Sequence, residues 1–324
     1  MELQDKIEAK PVNHSPFNNL FLIKGYVTGK NQLWMYLFGI AATILGYTIF
    51  QFIVAKPLIN FAAGNGVIIT DKNLASIFNA DYIGLNRSVM LAIMGGMFVF
   101  AILFLWLVIK FIHQKTFISI VTGFEKIRWK RYFFSFAVWS GLTILYVLVG
   151  YFSSPDNFEI RFHAPDFFAL VLVSVLFLPI QTATEELFLR SYLLQGLSLA
   201  FKNGIIPLVI TSVIFGLMHG TNPEAKAHGL WLMMPYYILF GAFLGMLTLL
   251  DEGAELAMGI HCANNLVSCL LICTKNSVLQ TDAIFFTPVE NPGGEFGSWI
   301  LMAAICFFIL YKKYKLSNWK LLIR

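Results

Sequence analysis

The chain has 324 residues, of which 58% are hydrophobic and only 13% charged, and its mean hydropathy is +0.71. A soluble domain carries about 25% charged residues, so this composition leaves little room for a separate soluble unit and describes a polytopic membrane protein. The net charge of +5 matters through its placement along the chain, and no nucleic-acid partner is expected from it.

In chain order, residues 1–33 are polar and mixed and read as a loosely structured cytoplasmic tail without a cleavable signal, so the first span is an anchor. Apolar runs able to cross ~30 Å of hydrocarbon at ~1.5 Å per residue follow at 34–55, 88–112, 132–152, 167–189, 205–220, 231–250, 256–273 and 298–311. They do not alternate as barrel strands would. The expected class is therefore all-α, a transmembrane helix bundle of about eight spans.

The connections have their own signatures. Residues 56–87, with Gly64, Gly66, Asp71, Lys72 and Asn73, read as a long external loop. The segment 113–131 mixes bulky apolar residues with Lys115, Lys126, Arg128, Lys130 and Arg131. It is expected at the inner interface, its cations turned toward anionic lipid. FKNG (201–204) reads as a turn between spans, and GAFLG (241–245) is a small-xxx-small pattern that lets helices approach closely. Basic residues gather in 113–131 and in the tail (Lys312, Lys313, Lys315, Lys320, Arg324), which places both termini in the cytoplasm. Cys262, Cys269, Cys273 and Cys306 lie within spans and read as small packing residues rather than as disulfides.

Ionisable groups inside a span face a bundle interior or a wet cavity, and a functional site is the default reading. Glu185, Glu186 and Arg190 end the fourth span, His219 ends the fifth, and His261 and Asn265 sit in the seventh. Glu185 lies 17 residues before Lys202 and His219 lies 17 after it. In an antiparallel hairpin they share a depth. Glu186 and Arg190 are four apart and can pair along one helix, as His261 and Asn265 can stack, whereas Glu185 points about 100° away from Glu186. One glutamate is thus neutralised by its own helix and the other is left unengaged.

A carboxylate and an imidazole can orient and deprotonate a water, and histidine and asparagine can donate to a developing oxyanion. Amide hydrolysis suits this set. Alternatively, Glu185, His219 and His261 form a two-histidine, one-carboxylate set whose ligand types suit zinc, although the HExxH helix is absent. Phe215 reads as a ring packed beside His219.

EELFLR (185–190), FGLMH (215–219) and HCANN (261–265) occur in this order on successive apolar segments. They match EExxxR, FxxxH and HxxxN, and the chain here resembles the CPBP family of intramembrane proteases. That family is also called the Abi or CAAX-protease family and is related to the Ras-converting CAAX endopeptidase. The resemblance implies that Glu185 activates water with His219 as partner, that His261 and Asn265 line the oxyanion site, and that Glu186 and Arg190 support them. The resemblance covers about 165–273 and implies a catalytic core (161–275), beside which hydropathy and charge set a tail (1–33), N-terminal segments (34–160) and a last span with basic tail (276–324). It further implies a membrane-embedded or lipidated peptide or protein substrate, in a multi-pass protein of a bacterial inner membrane. A non-catalytic immunity or binding scaffold and a proton-coupled transporter are the competing readings; the transporter would need related halves, which the sequence lacks.

Overall fold

The computed structural model describes residues 15–323, and the tail to residue 14 and Arg324 lie outside them. About 75% of the chain is helical. Nine helices carry the argument: α1 (Leu20–Val27), α2 (Leu33–Gly64), α3 (Arg87–Ile112), α4 (Trp129–Ser153), α5 (Ala164–Phe201), α6 (Ile205–His219), α7 (Leu230–Leu250), α8 (Glu255–Leu271) and α9 (Pro292–Tyr314). Every predicted span falls on one of α2–α9. Six of them are long and apolar enough to cross a membrane: α2, α3, α4, α5, α7 and α9. At 15 and 17 residues, α6 and α8 reach only about 22–26 Å at 1.5 Å per residue. Outward faces are apolar, with Phe52, Leu172, Leu217 and Phe308 exposed, as lipid contact requires.

Three boundaries and one side-chain orientation differ from expectation. Residues 20–27 of the expected loose tail form α1, capped by the Asn19 side chain, which accepts from the Phe21 and Leu22 amides. The same side chain donates to the Leu249 and Leu321 carbonyls, so this cap also ties the N-terminal segment to two distant turns. The loop expected from residue 56 begins only after Gly64, because α2 continues through Pro57; a membrane helix tolerates the lost hydrogen bond when neighbours and local adjustment satisfy the backbone. The fourth span does not stop at 189 but runs on to Phe201. Finally, three of the basic residues of 113–131 turn inward. Lys115 is buried with Nζ on the Gly25 carbonyl and the Tyr36 hydroxyl. Arg128 holds Glu255 at 2.6 Å and Asp251 at 2.9 Å, and Arg131 pairs with Asp251. Lys126 and Lys130 are exposed.

The core helices pack in pairs, α8 along α4, α7 along α6 and α3 along α5. Gly241 and Gly245 make the α6–α7 approach as the GAFLG pattern implies: Gly241 faces Ser212 and Phe215, and Gly245 faces Leu208. In the turn 201–204 it is Lys202, at φ +53°, that takes the left-handed conformation, while Gly204 stays right-handed. Three short strands, β1 (Glu159–Ile160), β2 (Ile272–Thr274) and β3 (Phe285–Thr287), join in the order β1–β3–β2. The pairing β1–β3 is antiparallel and β2–β3 is parallel. This sheet is the minor addition to an otherwise α-helical chain.

Candidate active site

Glu185 and Glu186 end the regular part of α5, and a π-helical stretch, Leu187–Leu193, follows at once. Such interruptions recur at functional sites because the wider turn re-aims side chains. The expected pair forms: Arg190 Nη1 lies 3.2 Å from Glu186 Oε1, and both side chains are fully buried. The guanidinium also rests over the Phe215 ring at 4.1 Å. The pair does not close on its own helix, however. The same Glu186 oxygen lies 2.7 Å from His261 Nδ1, so Arg190, Glu186 and His261 form a bridge from α5 to α8. Two buried charges repay their desolvation only when further hydrogen bonds use their remaining capacity. His261 supplies one, while Glu186 Oε2 and the three Arg190 nitrogens make no hydrogen bond among the described residues.

Glu185 is not left unengaged. Its Oε1 accepts from Gln181 Nε2 at 2.6 Å, one turn earlier on α5. Its Oε2 is buried and makes no hydrogen bond among the described residues. It lies 3.7 Å from His261 Nε2, beyond hydrogen-bond range. His261 therefore stands between two carboxylates, one at each ring nitrogen.

His219 is the last residue of α6. Its Nδ1 meets the Phe215 carbonyl at 2.7 Å; the carbonyl only accepts, so Nδ1 carries the proton and Nε2 is the available nitrogen. The imidazole stacks on Tyr237 of α7 with centroids 4.6 Å apart, and Phe215 packs beside it at 4.3 Å. Asn265, one turn beyond His261, donates from Nδ2 to Gln181 Oε1 at 3.0 Å.

Glu185, His219, His261 and Asn265 all line one cavity of about 720 Å³, together with Gln181 and Tyr237. The hairpin argument thus brings Glu185 and His219 to one space without bringing them into contact. Equal depth does not fix rotation about the helix axes, and the imidazole nearest Glu185 is His261. The sequence reading passed over Gln181, although an amide four residues before Glu185 in an apolar run was a legible signal. Nothing in the sequence separates Tyr237 from the other aromatic residues of its span.

The zinc alternative needs Glu185, His219 and His261 to converge. Among the described residues no three His, Cys, Asp or Glu side chains gather as metal ligands. The donor set does not fit zinc, and no step is routed through it. The four cysteines are buried free thiols.

A family model described as type II CAAX prenyl endopeptidase, Rce1-like, matches residues 164–267. The uncharacterized protein YyaK of Bacillus subtilis strain 168 is 30% identical over 277 residues, 82% of this chain and 87% of that one. The chain belongs to the Rce1-like family. In this Rce1-like protein the matched stretch starts at the first residue of α5 and ends within α8. It therefore holds every candidate residue named from the sequence. Membership gives the general class of a CAAX-type intramembrane protease in a multi-pass membrane protein. No solved structure matches this Rce1-like chain.

Proposed function

We propose that the protein is an intramembrane endopeptidase that hydrolyses a peptide bond of a membrane-embedded or lipidated peptide or protein. The observation that carries this reading is Glu185 Oε2, a buried carboxylate oxygen without a hydrogen bond among the described residues, on the wall of a cavity shared with His219, His261 and Asn265. An oxygen so placed has its acceptor capacity in reserve for a water.

In the proposed reaction that water lies between Glu185 Oε2 and His219 Nε2, and Glu185 takes its proton as the water attacks the scissile carbonyl. General-base action of this kind contributes roughly 10²–10⁴-fold. The negative charge passes to the carbonyl oxygen, where Asn265 Nδ2 donates; His261 Nε2 donates there only as the imidazolium, because the proton on Nδ1 faces Glu186. Each oxyanion donor is worth on the order of 3 kcal/mol. The tetrahedral intermediate then expels the amine, which leaves with the proton Glu185 had taken. Glu186 and Arg190 hold His261 from behind, through Nδ1, so that Nε2 faces the reaction. The substrate's apolar part occupies the cavity wall formed by residues such as Ile44, Met94 and Phe98.

The test compares membranes of cells expressing the wild type or Glu185→Gln for peptides with new termini. Fragments confined to the wild type are expected. Identical fragment sets in both, with both proteins folded at equal abundance, would end this reading.

A further inference from the structure

A single file of hydrogen bonds runs through the middle of the bundle, from α4 to α8 to α5. Trp139 Nε1 donates to Asn264 Oδ1 at 3.2 Å. Asn264 Nδ2 donates to Asn265 Oδ1 at 3.1 Å. Asn265 Nδ2 donates to Gln181 Oε1 at 3.0 Å, and Gln181 Nε2 donates to Glu185 Oε1 at 2.6 Å. Three amides stand in the file, and an amide in isolation can present either its oxygen or its nitrogen to a neighbour.

The two ends remove that choice. An indole N–H can only donate and an ionised carboxylate can only accept. With Trp139 donating, Asn264 must turn its oxygen to the indole and its nitrogen to Asn265. Asn265 must then turn its oxygen to Asn264 and its nitrogen to Gln181, and Gln181 must turn its nitrogen to Glu185. Any single amide flipped would set two donors or two acceptors face to face. Trp139 is itself immobile, with no exposed surface and its ring packed against Phe240 and Phe243.

We propose that Trp139, Asn264 and Gln181 are positioning residues that fix the amide of Asn265 with its N–H₂ toward Gln181 and the cavity, and that hold the Glu185 carboxylate by one oxygen. The inference rests on the reading of Glu185 and Asn265 as reacting groups. It adds that the polarity of Asn265, donor rather than acceptor, is set from both ends of the file, by Trp139 on another helix as well as by Glu185. One Asn265 hydrogen is spent on Gln181, and the other remains for an oxyanion. If the file reversed, Asn265 would offer a carbonyl oxygen to a developing negative charge.

The experiment has two arms on the purified full-length chain. In ¹⁵N-indole spectra, the Trp139 signal is assigned by its loss in Trp139→Phe. It is expected to move in Asn264→Leu and also in Gln181→Met, whose side chain is close in size and lies three links away. A Trp139 signal identical in the wild type and both variants would overturn the file. In kinetics on a peptide cut by the wild type, Gln181→Met and Trp139→Phe are expected to lower kcat by about 10- to 100-fold with KM unchanged. Gln181→Glu, which still accepts from Asn265, is expected to fall between Gln181→Met and the wild type. Unchanged kcat in Gln181→Met alongside a moved indole signal would overturn the positioning role while leaving the file intact. The spectral arm does not depend on hydrolysis, so failure of the protease reading is distinguishable from failure of the file.

Discussion

Glu185 and Glu186 are neighbours in the chain with different work to do, and the difference is set by what each oxygen touches. Glu186 Oε1 meets both Arg190 and His261, its Oε2 makes no hydrogen bond among the described residues, and of the two glutamates it is Glu185 that lines the cavity. Arg190→Met leaves that carboxylate buried without its cation, and a loss of ~3–5 kcal/mol in unfolding free energy is expected, measured in mild detergent by thermal or denaturant unfolding. Glu185→Gln keeps shape and loses the base, so activity should fall by roughly 10²–10⁴-fold while the unfolding midpoint stays near that of the wild type. A midpoint that fell as far as that of Arg190→Met would mean that Glu185 is structural. The pair of Glu186 with Arg190 was legible because i,i+4 geometry is local. The contact of each glutamate with His261 was not, because it depends on how α8 is rotated against α5.

Among the elements, α8 carries His261 and Asn265 and is held at its start and along its length. At its start, Glu255 is held by Arg128 and the preceding Asp251 by Arg128 and Arg131. Along its length Gly259 lies against the Tyr132 carbonyl and Ser135 of α4. Gly259→Val is therefore expected to wedge α8 from α4, at a cost of about 1–3 kcal/mol typical of overpacking, and to lower cleavage with it; full activity in that variant would contradict the clamp. Beyond α8, the loop before α9 is held by Glu290, which binds the Asn276 amide and side chain and pairs with His228. Burial pushes this carboxyl up, but hydrogen bonds from Asn276, Thr274 and His228 outweigh it and hold it at about 2. A depressed carboxyl stabilises the fold above its unfolded value of 4.5 and loses that contribution as pH falls from about 4.5 toward 2. Hydrogen exchange of residues 275–291 should rise across that window in the wild type and stay flat in Glu290→Gln. The inward-facing cations were illegible for a related reason: the sequence shows Arg128 and Arg131 as charges, and their partners lie 120 or more residues away.

At the scale of the molecule, hydropathy alone found all eight helical segments because apolar length is a property of contiguous residues. It placed their ends poorly in α2, which passes through Pro57, and in α5, which passes through a π-helical turn, where local signals say stop and the surrounding bundle continues the helix. The three motifs lie on α5, α6 and α8, and the cavity these helices share is a consequence of packing that no spacing rule describes. Because the donor set does not gather around a metal, hydrolysis is expected to survive dialysis against a strong chelator, with wild type and His219→Ala carrying equal zinc by mass spectrometry. Loss of activity on chelation and its return with zinc would contradict that expectation.

The central claim is that Glu185 delivers water to a peptide bond inside the bundle. It is tested most directly by incubating proteoliposomes of wild type or Glu185→Gln with a library of membrane peptides in H₂¹⁸O and sequencing the products. New C-termini carrying ¹⁸O are expected with the wild type and not with the variant. The same labelled fragments from both proteins would contradict it.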